Sequence, residues 1–167
     1  MDRPALLRPL EVLDAHDVRY VVIGGIAAIA QGYPLTTHDL DVTPDRDPEN
    51  LVRLAEALRV LGVRLRAPHG EAVDFPVDAG FLGQGLAWTL VTLDGDSFDL
   101  LFEPAGTSGY ADLAQDAVRL DLGDGLEVAV ASLRDLIRMK QAAGRPKDLA
   151  QIPALLATLE ARRERDA

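Results

Sequence analysis

The 167-residue chain contains no cysteine. That excludes disulfides, thiolate metal sites and a cysteine nucleophile. It also lacks any long apolar run. Hydrophobic residues make up 48% of the chain, but they fall in short stretches broken by charge, and none reaches the roughly 20 residues that span a bilayer. Residues 1–13 are punctuated by Arg3, Arg8 and Glu11 and do not read as a signal peptide. A basic excess is missing too. The net charge is −10, so a large nucleic-acid footprint built on phosphate neutralisation is not expected. The local exception is a run of Arg134, Arg138, Lys140, Arg145 and Lys147. No internal repeat, low-complexity tract, dividing linker, zinc-ligand spacing or Ser-His-Asp order is present. These absences lead to the expectation of one cytoplasmic domain over residues 1–167, with no membrane partner.

What is present alternates between helix and strand patterns. Leu6, Leu10 and Leu13 predict an amphipathic helix over about 4–15. Residues 18–23 (VRYVVI) predict a buried strand, ended by Gly24-Gly25, and IAAIAQ a short helix stopped by Gly32 and Pro34. Residues 38–43 (HDLDVT) alternate as a second strand. Asp47 is a suitable N-cap and Pro48 a first helical residue for a helix carrying Leu51, Leu54, Leu58 and Leu61, closed by Gly62. A strand near 63–65 follows. Residues 67–85 read as loop with one short strand, and a hairpin turns through Asp94-Gly95. A further strand pair turns through Asp124-Gly125. Ser132 with Asp135 opens a helix that Gly144 ends, and Pro146 opens the last one, where Pro153 predicts a kink or break and the tail is expected to fray. The pattern predicts an α/β (α+β) fold, a mixed β-sheet flanked by helices, with a core over about 4–130 and a C-terminal helical part over about 132–163.

Three acids stand out. Asp39 and Asp41 follow the Gly24-Gly25 pair after thirteen residues. On a strand, positions i and i+2 share a face, so the two carboxylates are expected side by side with Leu40 and Val42 facing the core. Adjacent carboxylates resist joint ionisation, and a divalent cation removes the conflict. Mg²⁺ suits carboxylate oxygens together with substrate phosphates. The glycine pair falls where a strand turns into a helix, a place that lets phosphate approach backbone N–H groups closely. Asp99, within the apolar run SFDLLF, is the third acid. Buried there it needs a partner, and a shared metal is one, while an edge strand facing solvent is the other solution. Trp88 and Tyr110 are available to stack a base or to pack a core. His16 and His69 carry no role, while His38, just before the acid pair, is either at the mouth of the site or a solvated histidine.

The order Gly24-Gly25, Thr37-His38-Asp39-Leu40-Asp41-Val42 and Asp99 resembles the DNA polymerase β-type nucleotidyltransferase superfamily. The stretch Lys140 … Arg145-Pro146-Lys147-Asp148 … Ile152 looks like the tail motif of its bacterial abortive-infection and toxin–antitoxin members. The matches cover about 18–44, 96–104 and 132–156. The resemblance implies a nucleotidyltransferase-like fold and transfer of an NMP from an NTP to a hydroxyl on tRNA, a partner protein or a small molecule. It implies two Mg²⁺ ions, with Mn²⁺ as a substitute, held by Asp39, Asp41 and Asp99, the last also helping to deprotonate the acceptor. It further implies that Gly24 and Gly25 face the β- and γ-phosphates, that Thr37 supports the metal or phosphate end, and that Lys140, Lys147 and Asp148 bind or order the nucleotide. Lys140 as an ordinary exposed lysine, and Lys147-Asp148 as an exposed first helical turn, are the plain alternatives. Two departures count. Leu35 occupies a position where many relatives carry a basic residue, and Gly25 replaces a serine. Accordingly an inactive, antitoxin-like binding module of the same fold is the second reading, and a metal-dependent phosphohydrolase a third. A toxin or antitoxin partner, or self-association, would supply the acceptor-recognition surface that a chain of this size lacks.

Overall fold

The structure is a computed structural model and describes residues 5–167. A 3-10 turn, Ala5–Leu7, leads into helix α1, Arg8–Ala15, whose Leu10 and Leu13 are fully buried. Strand β1, Tyr20–Ile23, is buried along its whole length, as its unbroken apolar run requires. Helix α2, Gly24–Ala30, follows without a loop, and β2, Leu40–Pro44, returns antiparallel to β1. Helix α3, Pro48–Leu61, buries Leu51, Leu54, Leu58 and Leu61 and ends at Gly62, whose φ of +60° is a conformation that glycine takes without strain. Short strands β3, Arg64–Arg66, and β4, Ala72–Val73, precede the four-residue helix α4, Ala79–Leu82. The hairpin of β5, Ala87–Val91, and β6, Ser97–Leu101, comes next, then α5, Tyr110–Asp116. A second hairpin, β7, Val118–Asp121, and β8, Glu127–Val130, leads to α6, Leu133–Ala143, and α7, Pro146–Asp166.

Among the described residues eight strands form one mixed sheet in the order β4-β3-β5-β6-β2-β1-β8-β7. Two neighbour pairs are parallel, β2 with β6 and β1 with β8. Both hairpins turn where Asp94-Gly95 and Asp124-Gly125 predict. Leu40, Val42, Phe98 and Leu100 are all fully buried at the sheet centre. Asn50, buried at the start of α3, accepts the Arg19 N–H (2.7 Å) and donates to the Arg19 and Asp45 carbonyls, tying α3 to the strand ends. No described helix is long and apolar enough to cross a membrane.

Four expectations need correction. The second strand begins at Leu40, not at 38, because the Thr37 hydroxyl takes the Asp39 N–H (3.2 Å) and so competes with the sheet ladder. Asp47 occupies the N-cap of α3 but its side chain caps nothing, lying instead 3.5 Å from the Arg19 guanidinium. Helix α7 runs on through Pro153. The carbonyl that loses a donor there belongs to the exposed Leu149, where water can serve it. Nor does the tail fray: α7 continues to Asp166, with charges of both signs at helical spacing along 160–166. Helices α4 and α5 were not legible as helices. Their turns rest on local details, such as Asp78 accepting the Phe81 N–H (2.7 Å) and Gly109 at φ +95°.

The placement of α2 against the C-terminal helices depends on one amide. Gln31 is buried, and its Nε2 donates to the carbonyls of Ala27 (3.0 Å) and Ala131 (2.8 Å), the latter just ahead of α6. Gln31→Met keeps the shape and removes both donors. The expected loss is about 1–3 kcal/mol in urea denaturation, the cost of leaving a buried carbonyl without its partner.

Candidate active site

The sheet register builds the site. Ile23, Asp41 and Asp99 are aligned across β1, β2 and β6. Parallel pairing of β2 with β6 puts the two aspartates side by side, close enough for each carboxyl group to act on the other. Burial pushes Asp41 up to about 7, with the neighbouring Asp99 carboxyl and the Asp39 charge adding to the effect, while Lys140 works against them. Asp99 Oδ1 is buried and has no hydrogen-bond partner among the described residues. The pair thus shares a proton or takes a counter-ion.

Gly24, at φ +68°, lies directly against this pair. A Cβ there would collide with the Asp41 carboxylate, so the diglycine is required by contact as well as by backbone conformation. Gly25 is packed on Thr37, where a Cβ would approach the threonine Cβ to 3.0 Å. Gly24, Gly25, Thr37, Asp39 and Asp41 line one side of a cleft of about 360 Å³. Lys140 of α6 and Arg145, Lys147, Asp148 and Gln151 at the start of α7 line the other. Ser132 caps α6 by accepting the Asp135 N–H (3.1 Å), and Gly144 closes it at φ +66°, so the chain turns back and brings the first turn of α7 to the cleft.

Most of the positions singled out in the sequence lie together in space. The cleft gathers Gly24, Gly25, Thr37, Asp39, Asp41, Lys140, Lys147 and Asp148, residues up to 124 apart in sequence. Asp99 stands behind Asp41 and does not itself line this cleft. Asp39 is exposed on the irregular segment before β2, so it does not share a strand face with Asp41 as expected, although its charge reaches Asp41. Among the described residues no three His, Asp or Glu side chains are assembled closely enough to hold an ion as they stand. Two acids are preassembled and the third waits at the mouth.

On the opposite wall Lys147 is exposed in the first turn of α7, as its plain alternative has it, whereas the alternatives for Lys140 and Asp148 do not hold. Asp148 is buried, not an exposed first-turn acid. It accepts from Arg145 Nε (2.6 Å) and Nη2 (3.3 Å) and pairs with Lys140 Nζ at 3.7 Å. Arg145 holds its carboxyl below the usual range. Lys140 is half-buried and serves both Asp148 and the field at Asp41. The sequence reading missed Arg145 as a site residue, although its three-residue spacing from Asp148 across a helix start was a usable sign. It missed Tyr33 and Gln151 as well, and no sequence pattern marks them. Trp88 is structural: it stacks on Phe81 (4.7 Å) and donates Nε1–H to the Leu82 carbonyl (3.0 Å). Tyr110 lies at another hollow with Arg19 and Arg119.

The chain is similar to a Thermotoga maritima protein provisionally classed as a nucleotidyltransferase, with 19% identity, TM-score 0.56, and 94% of this chain and 96% of that one covered. It has the nucleotidyltransferase fold. It is also similar to the lincosamide antibiotic adenylyltransferase LnuA, solved with lincomycin, at 14% identity and TM-score 0.60, covering 92% and 95% of the two chains. The antibiotic-resistance factor ANT(2'')-Ia aligns at 17% identity and TM-score 0.57, covering 94% and 84%. No protein-family model matches the chain, and no curated protein matches it in sequence.

The raised Asp41 group makes stability depend on pH in a known direction. Between 3.8 and about 7 the folded chain keeps a proton that the unfolded chain has released, so stability falls as pH rises through that window and levels off above it. Asp41→Asn removes this loss. In thermal melts without divalent ions it should stabilise the protein at pH 8 by on the order of 2 kcal/mol and do little at pH 4. Equal effects at both pH values would show that the carboxyl pair is not strained.

Proposed function

We propose that the chain is a nucleotidyltransferase that moves an NMP from an NTP to an acceptor hydroxyl. The observation that carries this reading is the half-buried Asp41–Asp99 pair, one buried oxygen of which has no partner among the described residues, set against a diglycine bend and faced by Lys140, Arg145 and Lys147. An acid pair in conflict, with Asp41 facing a cation-walled cleft and Asp99 behind it, suits a ligand that combines divalent cations with polyphosphate. The residues fit Mg²⁺, with Mn²⁺ as a substitute: Asp41 and Asp99 are the standing pair, and Asp39 would complete the set by closing over the mouth. Bound there, two ions supply charge stabilisation for the attacking and leaving oxygens.

The chain's own residues do the rest. Gly24 and Gly25 present backbone with no side chain in the way of the β- and γ-phosphates. Thr37 holds the segment that carries Asp39. Lys140, Arg145 and Lys147 offset the triphosphate charge, and Asp148 keeps the first two in place. Asp99 accepts the proton from the acceptor hydroxyl as its oxygen attacks the α-phosphorus and pyrophosphate departs. Positioning and charge compensation carry most of the rate in such a step.

The C-terminal motif, from Lys140 to Ile152, supports a toxin–antitoxin or phage-defence setting in the cytoplasm, with a tRNA end, a partner protein or a small molecule as acceptor. One observation favours the inactive binding module: Leu35 lines the cleft where many relatives place a basic residue. Purified protein with Mg²⁺ and each labelled NTP distinguishes the two. Pyrophosphate release is expected to fall by about 10² or more in Asp41→Asn and Asp99→Asn. Lys140→Ala should chiefly raise the KM for NTP, by about tenfold, since it removes one contact to bound phosphate. Full activity in Asp41→Asn would refute the site. Failure of the native chain to bind any Mg²⁺-NTP by calorimetry would select the inert module.

A further inference from the structure

The wall formed by Gly24, Leu136, Lys140, Arg145 and Asp148 borders two clefts, not one. The second holds about 200 Å³, and its remaining lining is wholly apolar, including Leu101, Ala105, Met139 and Ala143. We infer that this second cleft seats the acceptor, and that the acceptor is a small uncharged alcohol with an apolar ring or chain. The inference rests on the nucleotidyl-transfer reading above.

Three observations carry it. The first is placement. Gly24 touches the Asp41 carboxylate and lies at the junction of the clefts. Leu101 is two residues beyond Asp99 on β6, so it shares that strand face. Asp39, Thr37 and Lys147 are all on the other side, in the polar cleft. A triphosphate in the polar cleft, which Asp41 lines, and a hydroxyl group entering from the apolar one would therefore approach each other at the Gly24 bend, next to the acid pair. In the step, the acceptor oxygen forms a bond to the α-phosphorus, and the bond from that phosphorus to the bridging oxygen breaks. Pyrophosphate leaves with the electron pair, and the hydroxyl proton passes to Asp99. The second observation is size. An apolar cavity of about 150 Å³ takes a benzene-sized ring, so the space suits one ring with a short arm. The third is charge. The cations at the rim are Lys140 and Arg145, and the one carboxylate in the lining, Asp148, is buried and bound to both. A polycationic aminosugar would find like charge there and no free acid, whereas a neutral alcohol meets no penalty.

The chain contains two methionines, Met1 and Met139, so ¹³C-methyl methionine labelling of the full protein gives a two-signal spectrum with a reporter inside the cleft. Met139→Leu assigns it. Titration with 2-phenylethanol is expected to shift the Met139 methyl saturably, and choline, an alcohol of similar size with a fixed positive charge, to act about tenfold more weakly. Ala105 and Ala143 are exposed and small. Ala105→Phe and Ala143→Phe, which plug the cleft without touching the core, should each weaken the 2-phenylethanol response about tenfold. With Mg²⁺-ATP present, the adenylyl ester of 2-phenylethanol should form about tenfold faster than that of choline. An unmoved Met139 signal, or equal responses to the two alcohols, overturns the proposal. So does displacement of 2-phenylethanol from Met139 by ATP alone, which would make the cleft the seat of the nucleobase. If Met139 responds selectively but no ester or pyrophosphate forms from any NTP, the cleft's preference stands while both the transferase reading and the acceptor assignment fall.

Discussion

Two carboxylates meeting in the middle of a sheet are the constraint on which the rest of this molecule turns. Asp41 and Asp99 come together because β2 and β6 pair in parallel with those residues opposite one another. The register is held by their neighbours: Leu40, Val42, Phe98 and Leu100 have no exposure to solvent. A slip of one residue would drive the acids into that core and the leucines out of it, so packing alone keeps the pair in place. The hydrophobic core thus maintains an electrostatic conflict that burial makes worse. A proton shared at the pair relieves it, in keeping with the raised Asp41 group.

The compensating charge comes from far along the chain. Lys140 lies at the end of α6 and Arg145 and Asp148 at the start of α7, and the reversal between the helices is fixed by Gly144. Asp148 has no side-chain freedom to spare: it is buried, bound to Arg145 and adjacent to Lys140. It orients two cations that would otherwise be drawn to solvent or to the acid pair. The Gln31 amide, bridging α2 and the residue before α6, keeps this wall at the correct distance from the diglycine bend. Sheet centre, α2 and C-terminal helices therefore act as one mechanical unit around the cleft.

A fold of this kind does not choose an acceptor. LnuA and ANT(2'')-Ia, which align with the chain over nearly its whole length, were solved with different antibiotics, lincomycin and an adenylylated tobramycin. In this chain the lining that can discriminate is the apolar hollow beyond Gly24, built from the end of β6, the segment after it and the inner side of α6. Its composition differs from that of the charged cleft beside it, and the proposed division between phosphate and acceptor rests on that difference.

Residue order by itself determined the elements with strong local causes: the buried run of β1, the leucine face of α3, the two Asp-Gly hairpins and the Ser132 and Gly144 caps of α6. It also singled out Gly24-Gly25, Asp41 and Asp99, because a turn residue and an acid in an apolar strand are anomalies visible in one dimension. Tertiary structure alone decided that Asp41 touches Asp99, that Asp39 stands outside the strand, and that Asp148 is buried beneath Arg145. Those are relations between segments distant in sequence, set by sheet register and helix packing, whose energies do not reside in any short stretch of chain. The same holds for the second cleft, whose lining comes from five separate elements and from segments between them and has no periodicity to read.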